Sequence, residues 1–171
     1  MLHGLQLSLL YLCATTSSGG IYMNESFTVE EIAELIRDEG YKALVTIDED
    51  EDAFIASASD GTDWYVLMHG LSPFFDSMSF RCLMFPEGDP TEDCNKFNND
   101  YRFLKLYRVV NEDEEDDKGK FYARAEMDCD FAGGVSKLMV SATIRRWIAC
   151  LPIAEAAIYA KLSSKLESEN Q

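Results

Sequence analysis

"FYARAEMDCDFAGGVSKLMVSATIRRWIACL", residues 121–151, changes its periodicity half-way along, and that change decides the fold. Phe121, Ala123, Ala125 and Met127 alternate with Tyr122, Arg124, Glu126 and Asp128. A period of two predicts a strand with one better-buried face. Beyond Lys137 the period lengthens: Val140, Ile144, Trp147 and Leu151 share one side of a helix, and Lys137, Ser141 and Arg145 share another. Gly133 and Gly134 stand at the junction. Either they admit a phosphate to a helix N-terminus or they bend a strand into a helix. The loops GxxxxGK[ST] and GxGxxG are both unmatched, so the turn, with Ser136 capping the helix, is the favoured reading. The alternative is an anion site made by Gly133, Gly134, Ser136 and Lys137.

Working outward, Thr28 and Glu31 have capping-box spacing, Val29, Ile32, Ala33 and Ile36 form one apolar stripe, and Gly40 ends the helix. Short strands are predicted at 43–47, 54–58 and 64–69, and Asp60-Gly61 is a turn pair. Met78, Phe80, Cys82 and Met84 alternate with Ser77, Ser79, Arg81 and Leu83 as a further strand. Asp89-Pro90-Thr91-Glu92 starts a short helix, with Asp89 as N-cap and Pro90 first in the helix, turning Cys94, Phe97 and Tyr101 inward. Residues 103–110 and 121–128 are strands joined by the acidic run Glu112 to Asp117. Pro152 is expected to kink or divide the last helix, and Ile158, Leu162 and Leu166 continue an apolar stripe beyond it. The order predicts an α+β domain: a largely antiparallel sheet packed on one face by N-terminal, middle and C-terminal helices.

The 171 residues carry 31 acidic against 15 Lys and Arg, a formal net charge of −16. That field repels nucleic acid and anionic lipid and favours a protein partner. Residues 1–22 read as a leader outside the fold and residues 23–171 as one domain. The apolar run Leu5 to Cys13 suits export through a signal peptide, but no Lys or Arg precedes it, and Met23 is an alternative start. The five cysteines are odd in number and include no CxxC pair, which points to reduced thiols in a cytosol. Asp48, Asp50 and Asp52 have the spacing of the first EF-hand ligands. However, Ala53 and Ser59 stand where that loop needs its glycine and bidentate glutamate, so no metal is expected. Asp128 and Asp130 fall on the opposite side of the strand from Cys129. His69 reads as the polar tip of a strand, no GxSxG elbow is present, and no catalytic residue is assigned. Arg145 and Arg146 suit ion pairing with the acidic surface.

Three stretches carry a family resemblance: "TVEEIAELIRDEGYKALV" (28–45), "NKFNNDYRFLKLY" (95–107) and "MDCDFAGGVSKLMVSATIRRWIACL" (127–151). Together they resemble the YbjN-domain family of bacterial proteins, labelled as regulators of sensory transduction. Asn98, Arg102, Phe103, Asp128, Gly133, Gly134 and Trp147 fall at the family's motif places. The run Glu112 to Asp117 is longer and more acidic than the family's usual connection. The resemblance implies a fold similar to type III secretion chaperones, often dimeric, with no established enzymatic activity, and motif residues that anchor the fold. The expectation is a non-enzymatic, cytoplasmic protein-interaction module without a cofactor, a homodimer being one form. The alternative is a small-molecule or anion sensor using the Gly133-Gly134 turn with Lys137 and Arg102.

Overall fold

The computed structural model describes residues 22–48, 52–111 and 119–169, with side chains as far as residue 160. Residues 1–21 of the expected leader 1–22, Asp50, the run Glu112 to Asp117 and the side chains of Leu162 and Leu166 lie outside the described residues. Among the described residues the chain forms helix α1 (Val29–Asp38), strands β1 (Leu44–Ile47), β2 (Ala53–Ser59), β3 (Thr62–Leu71) and β4 (Phe74–Met84), helix α2 (Thr91–Asp100), strands β5 (Lys105–Val110) and β6 (Phe121–Asp130), and helix α3 (Lys137–Glu169). The strands make one open antiparallel sheet in the order β1-β2-β3-β4-β6-β5. The fold is α+β, with the helices on one face.

Local signals explain most of the elements. Thr28 Oγ1 accepts from the Glu31 N–H at 3.2 Å while Glu31 Oε2 accepts from the Thr28 N–H at 3.0 Å, a closed capping box. The far end of α1 is a Schellman motif: the Tyr41 N–H reaches the Ile36 carbonyl and the Gly40 N–H the Arg37 carbonyl, with Gly40 at φ 92°. Asp60 (φ 51°) and Gly61 (φ 87°) make the tight β2–β3 turn that an Asp-Gly pair favours. The register slips between His69 and Gly70, leaving Asp76 as an extra residue in β4. A Cβ on Gly70 would crowd Asp76 at 3.1 Å, and its φ of 109° favours glycine at that bulge.

The core lies between the sheet and the helices. Ile55, Val66, Phe80 and Met127 face one another in register across four strands, and all are buried. Trp147 of α3 stacks on Phe80 at 5.5 Å and meets Trp64 edge-on at 6.2 Å, so the three rings join helix to sheet. Ile32 and Ile36 of α1 and Cys94 and Phe97 of α2 close the two flanks.

Several expectations need correction. Helix α2 begins at Thr91, with Pro90 at its N-cap; Asp89 lies one residue earlier and accepts from the Thr91 N–H at 2.9 Å. Tyr101 is half-exposed and stacks on Phe97 at 4.6 Å, because α2 ends at Asp100. The next strand starts at Lys105: Phe103 has φ 71° and cannot join a ladder. β4 begins at Phe74, earlier than its alternation suggests, because the bulge at Asp76 interrupts the pattern. Pro152 does not divide α3, which runs unbroken to Glu169. Its ring sits on the exposed side, where the carbonyl left without a donor can face water.

Candidate functional site

Among the described residues every helix lies on one face of the sheet and the other face is uncovered, and alternation along the strands dictates what it presents. In the row Leu67–Ser79–Asp128, Ser79 Oγ donates to Asp128 Oδ1 at 2.7 Å, and His69 Nε2 lies 2.7 Å from the same Oγ. Because the serine proton goes to aspartate, Nε2 is the donor to Ser79. Serine, histidine and aspartate have converged, but in the wrong connectivity for acyl transfer: the histidine would have to sit between the other two to take the serine proton. Ser79 is also buried. The trio ties three strands together.

The next row, Tyr65–Arg81–Glu126–Lys105, is ionic. Arg81 Nε donates to Glu126 Oε2 at 2.7 Å, and Arg124 Nε approaches the same carboxylate at 3.4 Å without a hydrogen bond, its guanidinium 5.7 Å from the Tyr107 ring centre. Lys105 Nζ turns aside and donates to the carbonyls of Asn98 and Tyr101, completing the C-terminal end of α2. Around these charges lie Tyr65, Leu83 and Tyr107, each about two-fifths exposed, and Phe85 at 69%. An apolar rim around a centre where two arginines share one carboxylate is a surface suited to docking.

The junction that opened the sequence question is tightly occupied. Gly133 (φ 80°) and Gly134 (φ 90°) form a turn closed by the Gly134 N–H on the Phe131 carbonyl at 2.9 Å. Asn24 and Val135 exchange backbone hydrogen bonds at 2.8 and 2.9 Å, and a Cβ on Gly134 would lie 3.1 Å from Met23 Cβ. Ser136 Oγ accepts from the Met139 N–H at 3.2 Å as a helix cap. Lys137 Nζ lies 3.7 Å from Glu31. The Thr28 N–H, with the Thr28 hydroxyl and Lys137 assisting, holds the Glu31 carboxyl below its ordinary value against the opposing effect of burial. The amides of Gly134, Val135 and Met139 are therefore engaged, and Lys137 serves the capping box of α1.

The remaining motif positions serve the frame. Asn98 behaves as a one-residue strand: Nδ2 donates to the Leu106 carbonyl at 2.8 Å and Oδ1 accepts from the Leu106 N–H at 2.9 Å, sealing the β5 edge at that residue. Trp147 is core, Asp128 belongs to the serine row, and Arg102 is exposed next to Phe103. Arg145 pairs with Glu39 as expected of it, whereas Arg146 lies over the Phe103 ring, 4.3 Å from its centre. Burial pushes the Cys82 thiol up to about 12 and Cys94 to about 11, and raises Cys129 and Cys150 as well, so these sulfurs are poor nucleophiles. Among the described residues no three His, Cys, Asp or Glu are grouped to hold a metal, and no helix is long and apolar enough to cross a membrane.

Sequence reasoning missed the His69–Ser79–Asp128 row. Outward parity on three strands was readable, but only the register brings these residues together. No protein-family model matches the chain, and no curated protein matches it either.

Proposed function

We propose that this chain is a YbjN-like, non-enzymatic interaction module that works in the cytoplasm by docking another protein, as a regulator of signal transduction or a chaperone-like adaptor. The observation that carries this reading is the uncovered sheet face, where Tyr65, Leu83, Tyr107 and Phe85 surround an ion-paired centre. Family kinship is supported by the work of the motif residues: Asn98 seals an edge, Gly133 and Gly134 turn the chain, and Trp147 fills the core. An open antiparallel sheet backed by helices also agrees with kinship to type III secretion chaperones.

Affinity capture from cells of the source tests the proposal. The wild-type protein should retain a partner that Leu83→Lys and Tyr107→Ser variants lose, with sedimentation separating self-association from capture of a second protein. Equal retention by the variants would overturn the docking face. A saturable rise in thermal midpoint with inorganic phosphate, abolished in Lys137→Ala, would replace it with an anion sensor.

A further inference from the structure

Among the described residues, the outer face of α3 between 149 and 160 differs from the solvent-facing surfaces of α1 and α2. Exposed positions of α1 are Glu30, Glu34, Arg37 and Asp38, all charged, as a helix with one wet face requires. Exposed positions of α3 between 149 and 160 are Ala149, Pro152, Ile153, Ala156 and Ala160, none of them polar. The inward positions Leu151, Ala154 and Ile158 are buried. This stretch of α3 is thus apolar on both sides, the pattern of a helix covered from both directions.

Two further features adjoin that face. Between α2 and α3 lies a trough of about 570 Å³ lined by Phe97, Tyr101, Ile153, Ala157 and Ala160. At its end Phe103 is 61% exposed and held at φ 71° by a turn in which the Leu104 N–H reaches the Arg102 carbonyl at 2.9 Å. A non-glycine residue held there is strained. That strain, with Arg146 bracing the ring, fixes an aromatic knob in solvent. Arg146, Cys150, Ile153, Ala157 and Ala160 recur every three or four residues, so knob and trough lie along one line of α3, about 21 Å long at the helical rise. That is the length of a four-turn helix.

Charge selects the occupant. The α2 side of the trough contributes Asp93 and Asp100 against Lys96, and the whole chain carries −16. A second copy would bring the same aspartates and the same net charge, whereas a cationic helix is steered in. We infer that the α2–α3 trough receives an amphipathic helix of another protein, about four turns long. The apolar stripe of that helix packs on Ile153 and Ala157, and its Lys or Arg flanks meet Asp93 and Asp100. Its acidic end lies towards Arg102. This rests on the reading of the chain as an interaction module but uses a different surface.

The test is fluorescence anisotropy with two labelled 18-residue peptides of identical leucine stripe, one flanked by lysines and one by glutamates. The lysine peptide should bind at one-to-one stoichiometry and the glutamate peptide at least tenfold more weakly. Ala157→Leu, which fills the trough, should weaken the lysine peptide at least tenfold. Ala160→Leu, at an exposed position that leaves folding intact, should do so several-fold. Phe103→Gly should weaken binding while keeping or raising the thermal midpoint, since glycine adopts that backbone freely. Leu83→Lys, on the sheet face, should change nothing. Equal binding by both alanine variants overturns the proposal, as does equal affinity for the glutamate peptide. A dimer in sedimentation that Ala160→Leu dissolves also overturns it, with a second copy as occupant. If the peptides fail while Leu83→Lys still abolishes partner capture, this inference falls and the docking function stands.

Discussion

One set of strands in one register gives the sheet two faces held by different forces. On the packed face, Ile55, Val66, Phe80 and Met127 line up in register, and the Phe80 ring stacks on Trp147 of α3. One residue along, the opposite face is held by the hydrogen bonds of His69, Ser79 and Asp128 and by the ion pairs of Arg81 and Arg124 with Glu126. A period of two makes each face the complement of the other, so a slip in register would expose the core and bury the charges together. The packed face therefore specifies the fold for both.

The comparison breaks most severely at Trp147. Trp147→Ala removes the ring that bridges Phe80 and Trp64 and should cost about 3–5 kcal/mol in urea unfolding. Trp147→Phe should cost far less, because the indole N–H has no hydrogen-bond partner in the core to lose. A loss below about 1 kcal/mol for the alanine variant would show that helix and sheet are joined elsewhere. Ser79→Ala cuts the open-face row instead. Asp128 is exposed and rehydrates, but His69 is half-buried, so about 1–2 kcal/mol is expected.

Alkali should separate the faces without mutation. The Cys82 thiol of the packed face titrates near 12 when folded against an ordinary 9.0, so the folded state keeps its proton after the unfolded chain has lost it. Stability contributed by the neutral thiol is whole below pH 9 and declines as pH rises through 9 towards 12. Thermal midpoints should fall across that window, and the fall should be smaller in Cys82→Ala, measured relative to the variant's own midpoint at pH 7. Acid acts oppositely at Glu31. Its carboxyl is lowered from 4.5, so its contribution is present above that value and lost as pH drops through the folded one. Glu31→Gln should flatten the acid limb.

What the sequence disclosed follows the range of each interaction. Helix α1 was legible to its ends because Thr28, Glu31 and Gly40 act within a few residues of one another. The Asp60-Gly61 turn and the alternation of β6 are equally local. Asn98 could be marked as a motif residue, but its pairing with Leu106 depends on α2 lying along an edge strand. The turn at Gly133 and Gly134 was readable. Its closure by Met23 and Asn24 was not, since that contact spans more than a hundred residues. Tertiary packing also overrode the proline signal in α3, where Leu151 and Ala154 on either side of Pro152 are both buried.

Leu83 offers the smallest effect and the sharpest use of the two faces. Its side chain is 43% exposed beside Arg124, whereas its neighbours Cys82 and Met84 are buried on the other side of the same strand. Leu83→Lys keeps the backbone pairing, can extend its amine into water, and adds a cation to a chain of net charge −16. Its stability should stay within about 0.5 kcal/mol of wild type, since nothing buried is disturbed. Cys82→Lys, one residue away, should fail to fold, because Cys82 is fully buried and a longer, charged side chain would be forced into the packed core. Near-equal urea midpoints for the two lysine variants would mean that the faces are not divided as the register places them. A stable Leu83→Lys protein that also retains its captured partner would instead leave the division intact and remove the open face from the docking function.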